Sequence, residues 1–183
     1  MEPHASSSGH RWSGHSGSGP RAYERLDRRR QEPSSANLGI RRTPDLGLSM
    51  RVTEFEIDTS GTRVLDITSR VRGFVGEGRE SGLAHVFLPH ATAGLALIET
   101  GSGSEADLEE LLERMLPRDD RYVHGHGARG HGGDHLLPAL VSPSLVLPVD
   151  GGELVLGTWQ SIVIVDPNRD NDRRRVRVAV LPG

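Results

Sequence analysis

The 183-residue chain contains no cysteine and no lysine. Without cysteine there are no disulfides and no thiolate ligands, so any transition-metal site has to use histidine or carboxylate. A reducing, cytoplasmic setting is the expectation that fits. All 22 basic residues are arginine, which we read as the coding bias of a GC-rich genome. Aromatic residues make up 4% and apolar residues 34% of the chain, below the usual share for a globular domain. No apolar run approaches the roughly 18 residues that span a bilayer, and the N-terminus has no apolar segment of signal-peptide type. A soluble, intracellular protein without a membrane partner is expected.

The low apolar share averages two unlike regions. Residues 1–49 are rich in Ser, Gly, His and Arg, carry 8 Arg against 5 acids, and show no period of 2 or 3.6. Such a segment cannot bury enough apolar surface to offset its ordering entropy. It reads as a disordered, solvated tail, or an extension upstream of the true start. His4, His10 and His15 belong to it, and so do Arg28, Arg29 and Arg30, which could form a basic interaction arm. Residues 50–183 hold nearly all the Val, Leu and Ile and are long enough for a core of their own. They carry 14 Arg against 20 acids, a net charge of −6 that argues against a nucleic-acid partner.

From Met50 onward the pattern predicts strands over 51–58, 62–66, 83–88, 94–99, 144–149, 153–165 (with a bend) and 174–181. A short helix capped by Thr68 or Ser69 carries Val71, Phe74 and Val75 on one face. A second helix follows Ser104 and Asp107, which resemble a capping box. It shows Leu108, Leu111, Leu112 and Met115 at helical spacing and stops near Pro117. A helical turn is expected over 135–140. Seven or so strands with two to three helices make an α+β fold, with too few helices for a doubly wound parallel sheet.

Three features lie outside the apolar pattern. The first is the turn His90-Ala91-Thr92-Ala93-Gly94, where a histidine and a hydroxyl two residues apart can grip an anion or a metal-bound water, or simply form an exposed turn. Gly94 allows close backbone approach or a positive φ. The second is the stretch from Tyr122 to His135, with five glycines and four histidines in fourteen residues. Its N–H groups could form anion nests and its imidazoles could bind zinc, although the spacing matches no zinc-finger pattern. At most two of the four histidines are expected to be functional. The third is Leu156-Gly157-Thr158-Trp159-Gln160, where Trp159 could stack on a heterocycle hydrogen-bonded by Gln160, or pack into the core. Glu99 ends an apolar strand and is a candidate partly buried acid–base group. Asp107 suits the first turn of its helix. His85 reads as structural. Arg173-Arg174-Arg175 reads as a solvated edge or a phosphate contact.

Taken in order, these motifs resemble the YjbQ family, also described as secondary thiamine-phosphate synthases. The resemblance covers Met50 to the C-terminus. It rests on Asp66-Ile67-Thr68, the His90-to-Gly94 turn, Glu99, Asp107, Tyr122-Val123-His124, His135-Leu136 and, most specifically, Leu156-to-Gln160. Three places depart from the family pattern. Ala91 stands where the family has a Thr, His131 where it usually has an Asn, and the acidic-x-Asp-Gly-Pro-Arg ending reads Asp166-Pro167-Asn168-Arg169-Asp170-Asn171.

The resemblance implies a strand-rich two-layer sandwich or pseudo-barrel and a homotrimer with sites near subunit boundaries. The implied activity joins hydroxymethylpyrimidine diphosphate to a thiazole phosphate and releases pyrophosphate. Under it, His90, His124 and His135 converge on a metal or on phosphate oxygens and act with Glu99 as the catalytic group. Thr92, Gly94, Asp107, Trp159 and Gln160 line the substrate. A divalent ion, zinc at the histidines or magnesium with pyrophosphate, is the expected cofactor, with no organic cofactor. The alternatives are a non-enzymatic trimer that binds a metal or phosphorylated metabolite, and a metal-dependent hydrolase.

Overall fold

Period-2 alternation of side chains builds most of this structure, a computed structural model that describes residues 49–119 and 121–183. The expectations for His4, His10, His15 and the Arg28–Arg30 arm lie outside the described residues, as does the rest of the proposed tail apart from Ser49. Strand β1 (Arg51–Asp58) alternates half-buried and exposed positions along its length. It pairs antiparallel with β8 (Arg173–Pro182), with Val52 opposite Ala179 and Ile57 opposite Arg174. On its other edge β8 pairs with β3 (Gly82–Phe87), which pairs with β5 (Ser144–Asp150), which pairs with the two-residue β6 (Glu153–Leu154). This gives a five-stranded sheet in the order β1-β8-β3-β5-β6. A second sheet has the order β2-β7-β4, from Val64–Asp66, Ser161–Val165 and Gly94–Ile98. Every pairing described is antiparallel.

The two sheets share a core. Ala84, Val86, Leu147, Val176, Val178 and Val180 from the larger sheet meet Leu95, Ile162 and Ile164 from the smaller one, together with Val71 and Val75 of α1 (Thr68–Val75). The opposite face of the smaller sheet turns Val64, Val163 and Val165 toward Leu112 and Leu137, on α2 (Ser104–Met115) and α4 (Leu137–Leu140). Strand β7 is therefore buried on both faces, which is why Ile162 to Val165 is a continuous apolar run and not an alternating one. The fold is α+β and strand-rich, with α3 (His131–Asp134) a single turn. Among the described residues, no helix is long and apolar enough to cross a membrane.

Several local expectations are corrected. The run 153–165 is two strands, β6 and β7, separated by the exposed turn 157–160. Ser104 does not cap α2; Gly103 is the N-cap with φ of 99°, and Glu105 instead accepts a hydrogen bond from the N–H of Gly101 at 2.7 Å. Helix α2 packs through Leu108, Leu112 and Leu116, which leaves Leu111 and Met115 exposed. Neither Thr68 nor Ser69 caps α1, because Ile67 is the N-cap; Thr68 Oγ1 accepts from the N–H of Ile162 at 2.8 Å and ties the helix to β7.

The arginine run divides by the same alternation. Arg173 and Arg175 point outward, whereas Arg174 shares the inward face with Val176 and Val178 and is 1% exposed. A buried guanidinium needs a counter-charge. Asp166, at the end of β7, supplies it in a fork, with Nε to Oδ2 at 2.6 Å and Nη2 to Oδ1 at 2.7 Å. Thr59 Oγ1 donates to the same carboxylate at 2.6 Å. Arg174 is thus an internal ion-pair partner and not a solvated edge.

Candidate functional site

Four imidazoles converge in the glycine-rich loop between α2 and α4. Each of His124, His126, His131 and His135 offers one ring nitrogen, and these atoms all lie within 4.8 Å of one another. His131 Nε2 and His135 Nε2 are 2.8 Å apart. Helical spacing explains part of this, since residues 131 and 135 are four apart across α3 and share a face. The glycines explain the rest. Gly127 has φ of 80°, and a Cβ there would sit 2.7 Å from Cγ of His131. Tyr122 packs beneath, its Cβ only 2.6 Å from where a Cβ on Gly132 would stand.

The cluster has a braced side and an open side. His131 and Asp134 are buried, while His124 and His126 are exposed. Asp134 forms an ion pair with Arg118, which also donates to the carbonyl of Pro167 at 3.0 Å. Asn168 Nδ2 donates to Asp134 Oδ2 at 3.1 Å, and Asp170 Oδ2 lies 2.7 Å from His131 Nδ1. Desolvation holds the pKa of His124 and of His135 below the ordinary histidine value, and the neighbouring imidazoles push in the same direction. Neutral imidazoles are the form that binds metal.

The donor set fits a transition ion. Zinc–nitrogen bonds of about 2.0–2.1 Å in a tetrahedron put ligand atoms about 3.4 Å apart. The nitrogens here, at 2.8 Å for one pair and within 4.8 Å for all, bracket that spacing. All four histidines of the loop share one cluster.

His90 stands outside this cluster. Its Nε2 accepts from the N–H of Arg175 at 2.8 Å, and its Nδ1 lies 3.5 Å from Nη1 of Arg174. Burial, reinforced by the Arg174 charge, lowers its pKa below the ordinary 6.5. The ring therefore binds protons less readily folded than unfolded. Its contribution to stability is complete above about pH 6.5 and is lost as pH falls toward the folded value. Replacement of His90 by Gln is expected to flatten the decline of melting temperature below that pH, checked by thermal melts across pH 5–8 at fixed ionic strength. An unchanged decline would show that His90 contributes nothing to it.

The other sequence candidates are dispersed. Thr92 is buried, and a Cβ on Gly94 would lie 2.3 Å from the carbonyl oxygen of Val141, so this glycine serves close backbone approach. Glu99 is exposed and accepts from Ser102 Oγ at 2.9 Å; it is not a buried carboxylate. Asp107 is an exposed first-turn acid of α2. Trp159 is 72% exposed, which removes the core reading, and Gln160 Oε1 accepts from the N–H of Gly157 at 2.8 Å within its own turn. His85 stacks on Phe87 with ring centroids 6.1 Å apart.

In the sequence, the segment from Asp166 to Asp170 stands out only as a departure from the family pattern, and its contacts appear only in the fold. Asp166 anchors Arg174 beside His90, and Asn168 and Asp170 reach the histidine cluster. The segment holds its own shape, because Asp166 Oδ1 accepts from the N–H of Asn168 and Asn168 Oδ1 accepts from the N–H groups of Asp170 and Asn171. The density of Asp and Asn was the available signal, since both residues favour such turns.

A strand-rich α+β domain of two antiparallel sheets, with a histidine cluster on a glycine-rich loop, is the class that fold and site define. The chain belongs to the family described as UPF0047 protein YjbQ-like, whose model matches residues 53–183. It is 57% identical over 128 residues to a UPF0047 protein of Mycobacterium tuberculosis, covering 70% of this chain and 96% of the relative. The UPF0047 protein YugU of Bacillus subtilis is 32% identical over 109 residues, covering 57% and 79%. Among solved structures, a YjbQ/UPF0047-family protein of Clostridium acetobutylicum matches with a TM-score of 0.64 and 30% identity, covering 70% of this chain and 98% of the other. A YbjQ-like protein of Sulfolobus solfataricus shares the fold with a TM-score of 0.69 at 24% identity, covering 74% and 99%.

Proposed function

We propose that the protein is a cytoplasmic, metal-dependent enzyme acting on phosphorylated small molecules, with the thiamine-phosphate synthase reaction as its activity. The observation that carries this reading is the four-imidazole cluster. A divalent ion held by His124, His126, His131 and His135 would supply charge neutralisation for a leaving pyrophosphate. The anionic part of the substrate has a neighbouring place to bind. A cleft of about 460 Å³ is lined by Arg63, Arg118, Arg129 and Arg169, with Glu113 as its one acid. Arg129 also lines the hollow formed by His124, His126 and His131. Guanidinium groups suit phosphate because their paired N–H groups match its oxygens. His90, neutral beside Arg174, is the acid–base candidate in this reading.

We also propose the homotrimer that the family resemblance implies. The outer face of the five-stranded sheet supports association, because Val52, Ala179, His85 and Val146 line up across four strands beside Leu181 and Leu83. Val52, Leu83, Val146 and Leu181 are exposed there.

A second reading draws support from the same cluster. Structural zinc sites are closed by four protein ligands, whereas catalytic sites keep a position open. Four histidines could close the shell, as a non-enzymatic binding module requires. Purified protein, loaded with zinc and given hydroxymethylpyrimidine diphosphate, thiazole phosphate and magnesium, is expected to release thiamine phosphate and pyrophosphate. Metal uptake with no product would discard the synthase reaction in favour of the binding module.

A further inference from the structure

Of the four histidines, His131 has a carboxylate against its outer nitrogen. Asp170 Oδ2 lies 2.7 Å from His131 Nδ1. A carboxylate oxygen and a ring lone pair would repel at that distance, so Nδ1 carries a proton. Asn168 Nδ2 also lies 3.1 Å from Nδ1 while one of its two N–H groups donates to Asp134 Oδ2, but the Asp170 oxygen is the nearer partner of Nδ1. With Nδ1 protonated, the lone pair of His131 is on Nε2, the atom that faces Nε2 of His135 at 2.8 Å. The same Asp170 oxygen accepts from the N–H of Ala128 at 3.2 Å, so one carboxylate ties both the ring and the backbone of the histidine loop to the segment after β7. The contact also depends on Gly127, where a Cβ would stand 2.7 Å from His131 Cγ and 3.0 Å from Asp170 Oδ2.

We propose that Asp170 is the positioning residue that makes His131 a metal ligand, by holding the proton on Nδ1 and directing Nε2 into the cluster. The inference rests on the metal-binding reading above. A carboxylate behind a ligating imidazole fixes its tautomer and raises its basicity. His124 and His126 are exposed, and among the described residues neither has a carboxylate in ion-pair contact. Asp170 therefore orders one ligand and leaves the others to follow.

The test is zinc affinity of the full chain, measured by competition with a chromophoric chelator, together with the visible spectrum of the cobalt-loaded protein. Asp170→Ala is expected to weaken zinc binding by about 10–100-fold, the effect typical of losing such a partner, and to alter the cobalt bands. Asp170→Asn keeps an oxygen acceptor without the charge and is expected to fall between the two. Gly127→Ala, which separates the pair from the opposite side, is expected to reproduce the loss. Metal-free melting temperatures of the variants separate ligand positioning from general loosening of the loop. Wild-type affinity and an unchanged cobalt spectrum in Asp170→Ala would overturn the proposal and leave the metal site standing. Failure of the wild-type chain to bind zinc or cobalt would instead overturn the metal-binding reading, and this inference with it.

Discussion

Replacing Asp166 by alanine is expected to lower the unfolding free energy by about 3–5 kcal/mol, the range for breaking a buried ion pair by removing one partner. The side chains of Arg174 and Asp166 are 2% and 1% exposed. The truncation would leave a guanidinium in the interior without a counter-charge and remove the acceptor of the Thr59 hydroxyl. Urea unfolding followed by circular dichroism measures the loss. Arg173→Ala is the control, because its side chain is 63% exposed and its carboxylate contacts, at 3.6 and 3.8 Å, are long. That variant is expected to stay within about 0.5 kcal/mol of the parent. The double replacement Asp166→Leu with Arg174→Met is expected to recover most of the lost stability, since the penalty comes from the orphaned charge and not from absence of the pair. An Asp166→Ala protein as stable as the parent would mean that Arg174 reaches water in the folded state.

The second large effect concerns the histidines. The wild-type chain is expected to take up one zinc or cobalt ion per subunit, and His131→Ala combined with His135→Ala is expected to abolish it. The loss should exceed the roughly 10–100-fold typical of removing an outer partner, because two donors disappear at once. Added zinc should raise the wild-type melting temperature, since a ligand that binds only the folded state stabilises it by about 2.7 kcal/mol at 100 times its Kd. Chelation should reverse the gain, and the double variant should show neither response. His90→Ala provides the contrast. Its ring nitrogens face Arg174 and Arg175 and lie outside the cluster, so metal stoichiometry is expected to be unchanged. Loss of the ion in His90→Ala, with the loop variants unaffected, would move the metal site away from the loop.

Much of the fold was legible in the residues. The alternation in Arg51–Asp58 and the continuous apolar run at Ile162–Val165 report directly on whether one or both faces of a strand are covered. What misled was local chemistry read without its neighbours. Ser104 looks like a cap, but Gly103 takes the left-handed conformation that turns the chain into α2. Trp159 looks like a core residue, yet its turn projects from the end of β6 and leaves it exposed. Arg174 looks like surface because charged residues flank it, and only the register of β8 turns it inward.

The candidate site divides in the same way. His124 and His135 were visible as histidines among glycines and His90 as one in a turn between strands, but a sequence does not say which imidazoles meet. That depends on α3, which sets residues 131 and 135 on one face, and on positive φ at Gly127, which folds the loop back on itself. The sequence by itself determined where most of the strands run, where the domain pattern begins, and that no metal ligand would be a thiolate, because hydrophobic period and side-chain chemistry are written residue by residue. Only the tertiary structure decided that His126 and His131 join the cluster while His90 stands apart, and that Asp166 pairs with Arg174 while Asp170 lies against His131. Asp170 meets His131 from 39 positions away, and even the nearer pairs, such as Asp166 with Arg174, depend on strand register and loop closure to bring them together.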